Sequence, residues 1–227
     1  RIILEDAQQQ RLGWRSLFRR AFILAELLEP ACAGQRQIGL LLPNAASAVI
    51  ALLALHLHGR TPVVLNFTAG SHELISACQT AAVRTVCTSR AFVDAASLQA
   101  QIAALSEQVQ ILFLEDLRPR AGWRVKLRGL AGALAPRWAF RRRAGSVQAD
   151  DPAVILFTSG SERKPKGVVL THRNLLANVA QARAMLDIMP SDVILNALPL
   201  FHAFGLTTAT LTPLLLGTRV ILYPSPL

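Results

Sequence analysis

Short runs rich in β-branched residues alternate along this chain with longer stretches of helical periodicity, and this rhythm constrains the fold more than any other feature. Strand-like runs at 38–42, 61–66, 85–88 and 111–114 are separated by helical patterns at 45–57 and 71–81 and by an Ala/Gln-rich stretch before residue 111. Strand, crossover helix and second strand form the repeating unit of a parallel sheet, because parallel neighbours cannot be joined by a tight turn. A helical pattern at 17–28 precedes this region; strand-like runs at 153–157 and 168–170, and a helix opening at Thr171, follow it. The expected fold is α/β, a layered and largely parallel sheet with flanking helices. No internal repeat or low-complexity tract competes with that reading.

Turn residues fix several boundaries. Pro43-Asn44 closes the run 38–42, Gly59 ends the helix that follows, and Ser71 can cap the next. Two apolar stretches, 38–57 and 198–216, approach the length of a membrane span. Pro43-Asn44 splits the first, and the second carries Pro199, His202, Pro213 and several threonines, so both read as soluble structure. With 52% hydrophobic residues the chain can bury a substantial core. Cys32, Cys78 and Cys87 have neither CxxC nor zinc spacing, and read as buried reduced thiols of a cytoplasmic protein. The opening residues contain neither a signal peptide nor an initiator Met, which reads as a start inside a longer polypeptide.

The net charge of +10 is concentrated in one segment. Residues 118–143 hold nine Arg/Lys and no Asp/Glu, leaving about +1 for the rest. Trp123, Leu127, Leu130, Leu134 and Trp138 share one narrow helical face, flanked by Arg124, Lys126 and Arg128, and Pro136 should end or kink the helix. Such a stretch either lies on an anionic membrane surface or packs its apolar face on the domain with its charges solvated. Nucleic acid is disfavoured, since no stacking platform or zinc motif accompanies the charge.

After the linker-like Ala149-Asp150-Asp151-Pro152 and the strand 153–157 comes Thr158-Ser159-Gly160-Ser161-Glu162-Arg163-Lys164-Pro165-Lys166-Gly167. Glycines let backbone amides approach a polyphosphate, hydroxyls donate to its oxygens, and lysine supplies positive charge. The Gly-Lys-Ser/Thr ending of a Walker loop is absent.

Phe157 to Ser161, Pro165-Lys166-Gly167, Thr171-His172 and Asn174 together resemble the signature of the adenylate-forming (AMP-binding) superfamily. Leu198-Pro199-Leu200-Phe201-His202-Ala203-Phe204-Gly205 resembles that family's motif beside the acyl pocket, Gly39 to Asn44 resembles the strand and turn found early in these enzymes, and Pro62 to Gly70 the stretch leading to the next helix. Asn66 to Gly70, Thr88-Ser89-Arg90, Leu134 to Arg137 and Tyr223 to Leu227 resemble one branch, the bacterial acyl-acyl carrier protein synthetase / 2-acylglycerophosphoethanolamine acyltransferases.

The resemblance implies an AMP-forming acid–thiol ligase that uses ATP and Mg²⁺ to activate a long-chain fatty acid. The acyl group would pass to acyl carrier protein and then to a lysophospholipid, in a cytoplasmic protein peripheral on the inner membrane. It implies that Thr158, Ser159, Gly160, Ser161, Lys166 and Gly167 hold the β- and γ-phosphates, that Thr158 or Ser161 assists Mg²⁺, and that Lys166 and His202 are catalytic. His172 and Asn174 read as structural, because Thr171 can cap a helix with apolar positions Leu175, Leu176, Val179 and Met185.

In these terms residues 1–117 are a first α/β part of the adenylating domain, 118–150 the basic insert and linker, and 151–227 the phosphate-loop part. Arg163 stands where the family pattern has Gly and would strain or crowd the loop. The chain also stops before the family's later motifs, so the expectation is that it is inactive alone. The competing readings are a fatty acid–CoA ligase and a non-catalytic membrane-binding module derived from such an enzyme. A generic phosphate-binding protein leaves the Pro-Leu-Phe-His motif unexplained.

Overall fold

The computed structural model describes residues 1–158 and 165–224. From the N-terminus run β1 (Leu4–Asp6), β2 (Arg11–Leu12), α1 (Trp14–Leu28), β3 (Gln37–Leu40), α2 (Ala46–His56), β4 (Thr61–Val64) and α3 (Ser71–Thr80). Next come β5 (Thr85–Thr88), α4 (Arg90–Ala95), α5 (Gln99–Ser106), β6 (Gln110–Phe113) and the short α6 (Leu114–Leu117). The basic segment forms α7 (Trp123–Leu134) and α8 (Pro136–Ala144). After them lie β7 (Pro152–Thr158), β8 (Lys166–Thr171), α9 (His172–Met185), β9 (Val193–Asn196), α10 (Ala203–Leu206), α11 (Thr212–Leu216) and β10 (Arg219–Leu222).

Among the described residues these strands form two sheets, with orders β6-β5-β3-β4-β7-β8 and β2-β1-β10-β9. In the larger sheet β6, β5, β3, β4 and β7 are parallel, as the α/β rhythm requires, while β8 runs antiparallel to β7 as an edge strand. The run 168–170 is thus the centre of a hairpin arm and not another parallel strand. In the smaller sheet β1 pairs in parallel with β10, Leu4 opposite Val220, so the two ends of the chain share one sheet.

The inner strands β3, β4, β5 and β7 are buried on both faces, which is why they read as continuous apolar runs, whereas the edge strand β8 is largely exposed. Ile38, Leu40, Val64, Val154 and Leu156 join one core with α1 and α2; Leu41, Val63, Leu65, Val86 and Ile155 join a second core with α3 and α5. Helix α2 touches β3 and β4 and also α1 and β1, and is therefore apolar around nearly its whole circumference. Its N-terminus has no side-chain cap of its own; Asp6 Oδ2 accepts from the Ala46 amide at 3.2 Å and places a carboxylate there. Among the described residues no helix is long and apolar enough to cross a membrane.

Of the two readings of the basic segment, an apolar face packed inward on the domain is not what the structure shows. Pro136 does interrupt the helix, between α7 and α8, but the face packed on α1 is made of Gly129 and Gly132. A Cβ on Gly132 would lie 2.7 Å from Cγ of Phe22, and one on Gly129 would collide with Ile23. Trp123, Leu127, Leu130, Leu134 and Trp138 all point to solvent. In α9, Leu175 and Val179 are buried, but Leu176 and Met185 are exposed, so its apolar face is narrower than its sequence suggests.

Candidate functional site

The parallel strands of the larger sheet end together at one edge, where open α/β sheets bind ligands. Thr158 ends β7 there, and Lys166 opens β8 directly across the hairpin, in register with it. Directly opposed residues of an antiparallel pair project from the same face, so Thr158 and Lys166 share one face of the hairpin, and both are exposed. Gly167 follows, opposite Phe157, whose ring lies 3.4 Å from where a Cβ on Gly167 would be. A hydroxyl donor beside a cation is a donor set suited to a polyphosphate, and an exposed hydroxyl suits a cation that takes its remaining oxygens from phosphate. Ser159, Gly160, Ser161, Arg163 and Lys164 lie outside the described residues.

The hairpin leads into α9 through a reciprocal cap, with Thr171 Oγ1 accepting from the Asn174 amide at 3.1 Å and Asn174 Oδ1 accepting from the Thr171 amide at 2.9 Å. Asn174 is therefore structural, as expected. His172 packs edge-on against His56 with ring centroids 5.4 Å apart, away from the loop and at the opposite ends of β4 and β7. Burial pushes the pKa of His56 down to about 4, its contact with the Ala153 carbonyl at 2.7 Å opposes this, and His172 adds to the depression.

The second sequence motif folds as a turn held from within. Asn196, at the end of β9, donates from Nδ2 to the Gly205 carbonyl at 3.0 Å and to Thr210 Oγ1 at 2.8 Å, and its Oδ1 accepts from the Leu198 amide at 2.9 Å. Gly205 is required because a Cβ would strike the Pro199 carbonyl. The result presents His202 and Phe204 outward while Phe201 is buried.

Phe201 meets Phe67 edge-on at 5.1 Å, and Phe67 meets Phe92 at 5.2 Å. The ring of His202 lies 4.5 Å from that of Phe201. The stretch 66–70 and the Pro-Leu-Phe-His motif, more than a hundred residues apart, are thus brought into contact.

Asn44 performs a similar task between the sheets. Its Nδ2 donates to the carbonyls of Asn196, at 2.7 Å, and Tyr223, at 3.0 Å, tying the end of β3 to the ends of β9 and β10. In the sequence Pro43-Asn44 reads as a turn closing a strand that resembles the family's, and Asn196 belongs to no motif. A polar residue ending an apolar run just before Leu-Pro-Leu was the available signal.

A largely parallel sheet with helices on both faces, and with Thr158 and Lys166 at the carboxyl ends of its strands, defines an α/β domain. The chain belongs to the AMP-binding enzyme family, whose model matches residues 1–227. It is 26% identical over 240 residues to the medium-chain-fatty-acid–[acyl-carrier-protein] ligase TtuA of Teredinibacter turnerae, covering 94% of this chain and 37% of that protein. It is 42% identical over 77 residues to the medium-chain fatty-acid–CoA ligase of Escherichia coli, covering 34% of this chain and 14% of that one.

Among solved structures, o-succinylbenzoate CoA synthetase from Bacillus subtilis, in complex with its acyl-adenylate intermediate, superposes with a TM-score of 0.76 at 25% identity, covering 99% of this chain and 53% of that one. ATP-bound MatB from Rhodopseudomonas palustris gives 0.75 at 26% identity, covering 99% and 42%. This chain therefore spans well under two thirds of the relatives it matches.

Proposed function

We propose that this chain is part of the adenylating domain of an AMP-forming acid–thiol ligase that activates a long-chain fatty acid. The observation that carries the reading is the in-register pair of Thr158 and Lys166 at the carboxyl edge of the sheet, in a chain matched along its whole length by the AMP-binding family.

The fatty acid carboxylate attacks the α-phosphorus of ATP, pyrophosphate leaves, and a thiol then attacks the acyl-adenylate carbonyl and releases AMP. The chain's contribution to the first step is positioning and charge neutralisation. Lys166 balances charge on the β- and γ-phosphates, Thr158 donates its hydroxyl, and Gly167 leaves room for close approach; Ser159, Gly160 and Ser161 supply the rest of the cradle. Mg²⁺ neutralises phosphate charge when bound, with Thr158 or Ser161 as its protein ligand. His202, at the outward face of its turn, orients the acyl or thiol group. Residues 1–117, 118–150 and 151–227 serve as parts of one adenylating domain, a division supported by the sharing of both sheets between the first part and the last.

Acyl carrier protein is the acceptor we favour, because the long match to a carrier-protein ligase spans nearly the whole chain; lysophospholipid reacylation is the downstream use that the sequence resemblance implies. Transfer to CoA is the second reading, favoured by the shorter but closer match to a CoA ligase. The test is fatty-acid-dependent hydroxamate formation by the natural polypeptide that carries this chain, followed by transfer to carrier protein or CoA. Lys166→Ala is expected to lower hydroxamate formation about a hundredfold or more, the scale of losing one charged transition-state contact. An unchanged rate removes Lys166 from the site.

A further inference from the structure

Helices α7 and α8 invert the usual logic of an amphipathic surface helix. Their small face, Gly129, Gly132 and Ala139, is buried, and Gly129 and Gly132 lie against Ile23 and Phe22 of α1. Their large apolar face, Trp123, Leu127, Leu130, Leu134 and Trp138, is between 45% and 71% exposed. Five large apolar side chains in one stripe on a folded surface call for a partner.

The charges around the stripe say what kind of partner. Of the nine cations in 118–143, Arg128 and Arg143 pair with Glu26 of α1, which pins the helices to the body. The other seven have no carboxylate partner among the described residues. The guanidiniums of Arg124 and Arg142 stand 5.3 Å from the rings of Trp123 and Trp138, the two ends of the stripe. Indole at the depth of the acyl boundary with guanidinium beside it at the headgroups is the side-chain order that a charged bilayer surface selects. An acidic protein would satisfy the cations but leaves a convex row of leucines between two tryptophans without a matching cleft.

We infer that α7 and α8 are a membrane-docking surface that inserts the Trp123–Trp138 stripe into the interface of a bilayer rich in anionic phospholipid. The helices stay seated on α1 through their glycine face, so docking requires no unfolding of the domain. Arg124, Lys126, Arg137, Arg141 and Arg142 contact lipid phosphate, while Leu127, Leu130 and Leu134 enter the acyl boundary. This surface does not depend on the acid-activation reading, and a protein with no ligase activity would dock in the same way.

Sedimentation of the protein with vesicles of phosphatidylcholine containing phosphatidylglycerol, against vesicles of phosphatidylcholine alone, tests it. The expected result is partition onto the anionic vesicles that weakens with added salt. Brominated lipid should quench fluorescence that Trp123→Phe/Trp138→Phe removes and Trp14 does not supply. Leu127→Ser/Leu130→Ser/Leu134→Ser should lower partition about tenfold or more, with its melting midpoint unchanged because all three side chains are exposed. Several outcomes would overturn the inference. These are no partition, equal partition onto neutral vesicles, unchanged partition in the leucine variant, or a stripe that instead mediates self-association or binding to an acidic carrier protein.

Discussion

Asn196 makes three hydrogen bonds in a buried turn, to the Leu198 amide, the Gly205 carbonyl and Thr210 Oγ1, and the last two are also bonded to each other. Asn196→Ala should cost about 1–3 kcal/mol in urea unfolding, since the Leu198 amide loses its acceptor and the Gly205 carbonyl one of its two donors. A loss under half a kilocalorie, by the same order-of-magnitude reasoning, would mean water replaces the amide. The histidines give a second prediction at this scale. The folded pKa of His56 lies at about 4 against an ordinary 6.5, so the unfolded chain takes up the proton first.

Stability is then full above pH 6.5 and falls as pH drops toward 4, by roughly 2–3 kcal/mol from this residue. Burial lowers His58 in the same direction against the pull of Glu29, and lowers His172 against the pull of Asp151. His56→Gln should flatten the slope of the urea midpoint with pH; an unchanged slope would assign it to other groups. Lys166 and Thr158 stand out in the sequence because the pattern that proposes them is local to one stretch. Asn196 was not, because its partners come from a turn whose shape no spacing rule supplies.

At the scale of the element, the period of α7 was readable and its orientation was not. A helical wheel finds the apolar stripe, but which face is buried depends on fit, and here the fit to Phe22 and Ile23 is made by glycines. Gly132→Ala should therefore destabilise by about 1–3 kcal/mol through overpacking against Phe22. Leu130→Ser, on the exposed stripe, should change stability by no more than about half a kilocalorie. Thermal melts of the two variants check this, and the reverse ranking would contradict the described seating of α7 on α1. The hairpin of β7 and β8 was also illegible, because a loop after a strand fits a crossover as well as a turn until the antiparallel register is seen.

For the whole molecule, the α/β rhythm gave the parallel strands of the larger sheet nearly strand for strand, since the inner ones are apolar on both faces and most are separated by helices of ordinary length. The smaller sheet escaped notice. Its strands are two to four residues long and pair the chain's beginning with its end. Leu4, Ile38 and Val220 nevertheless belong to one continuous core. Leu4→Ala should lower global stability by about 2–4 kcal/mol and speed amide exchange in β3 and β10 together. Faster exchange confined to β10 would show that the two sheets open separately.

The central claim is that this fold positions a carboxylate to attack the α-phosphorus of ATP. A fatty acid labelled with ¹⁸O in its carboxyl group, turned over by the natural polypeptide that carries this chain, tests it directly. One carboxyl oxygen should appear in the AMP released when the thiol takes the acyl group, with none in pyrophosphate. Label absent from AMP, or found in orthophosphate or pyrophosphate, would contradict an acyl-adenylate and the role given to the Thr158–Lys166 hairpin.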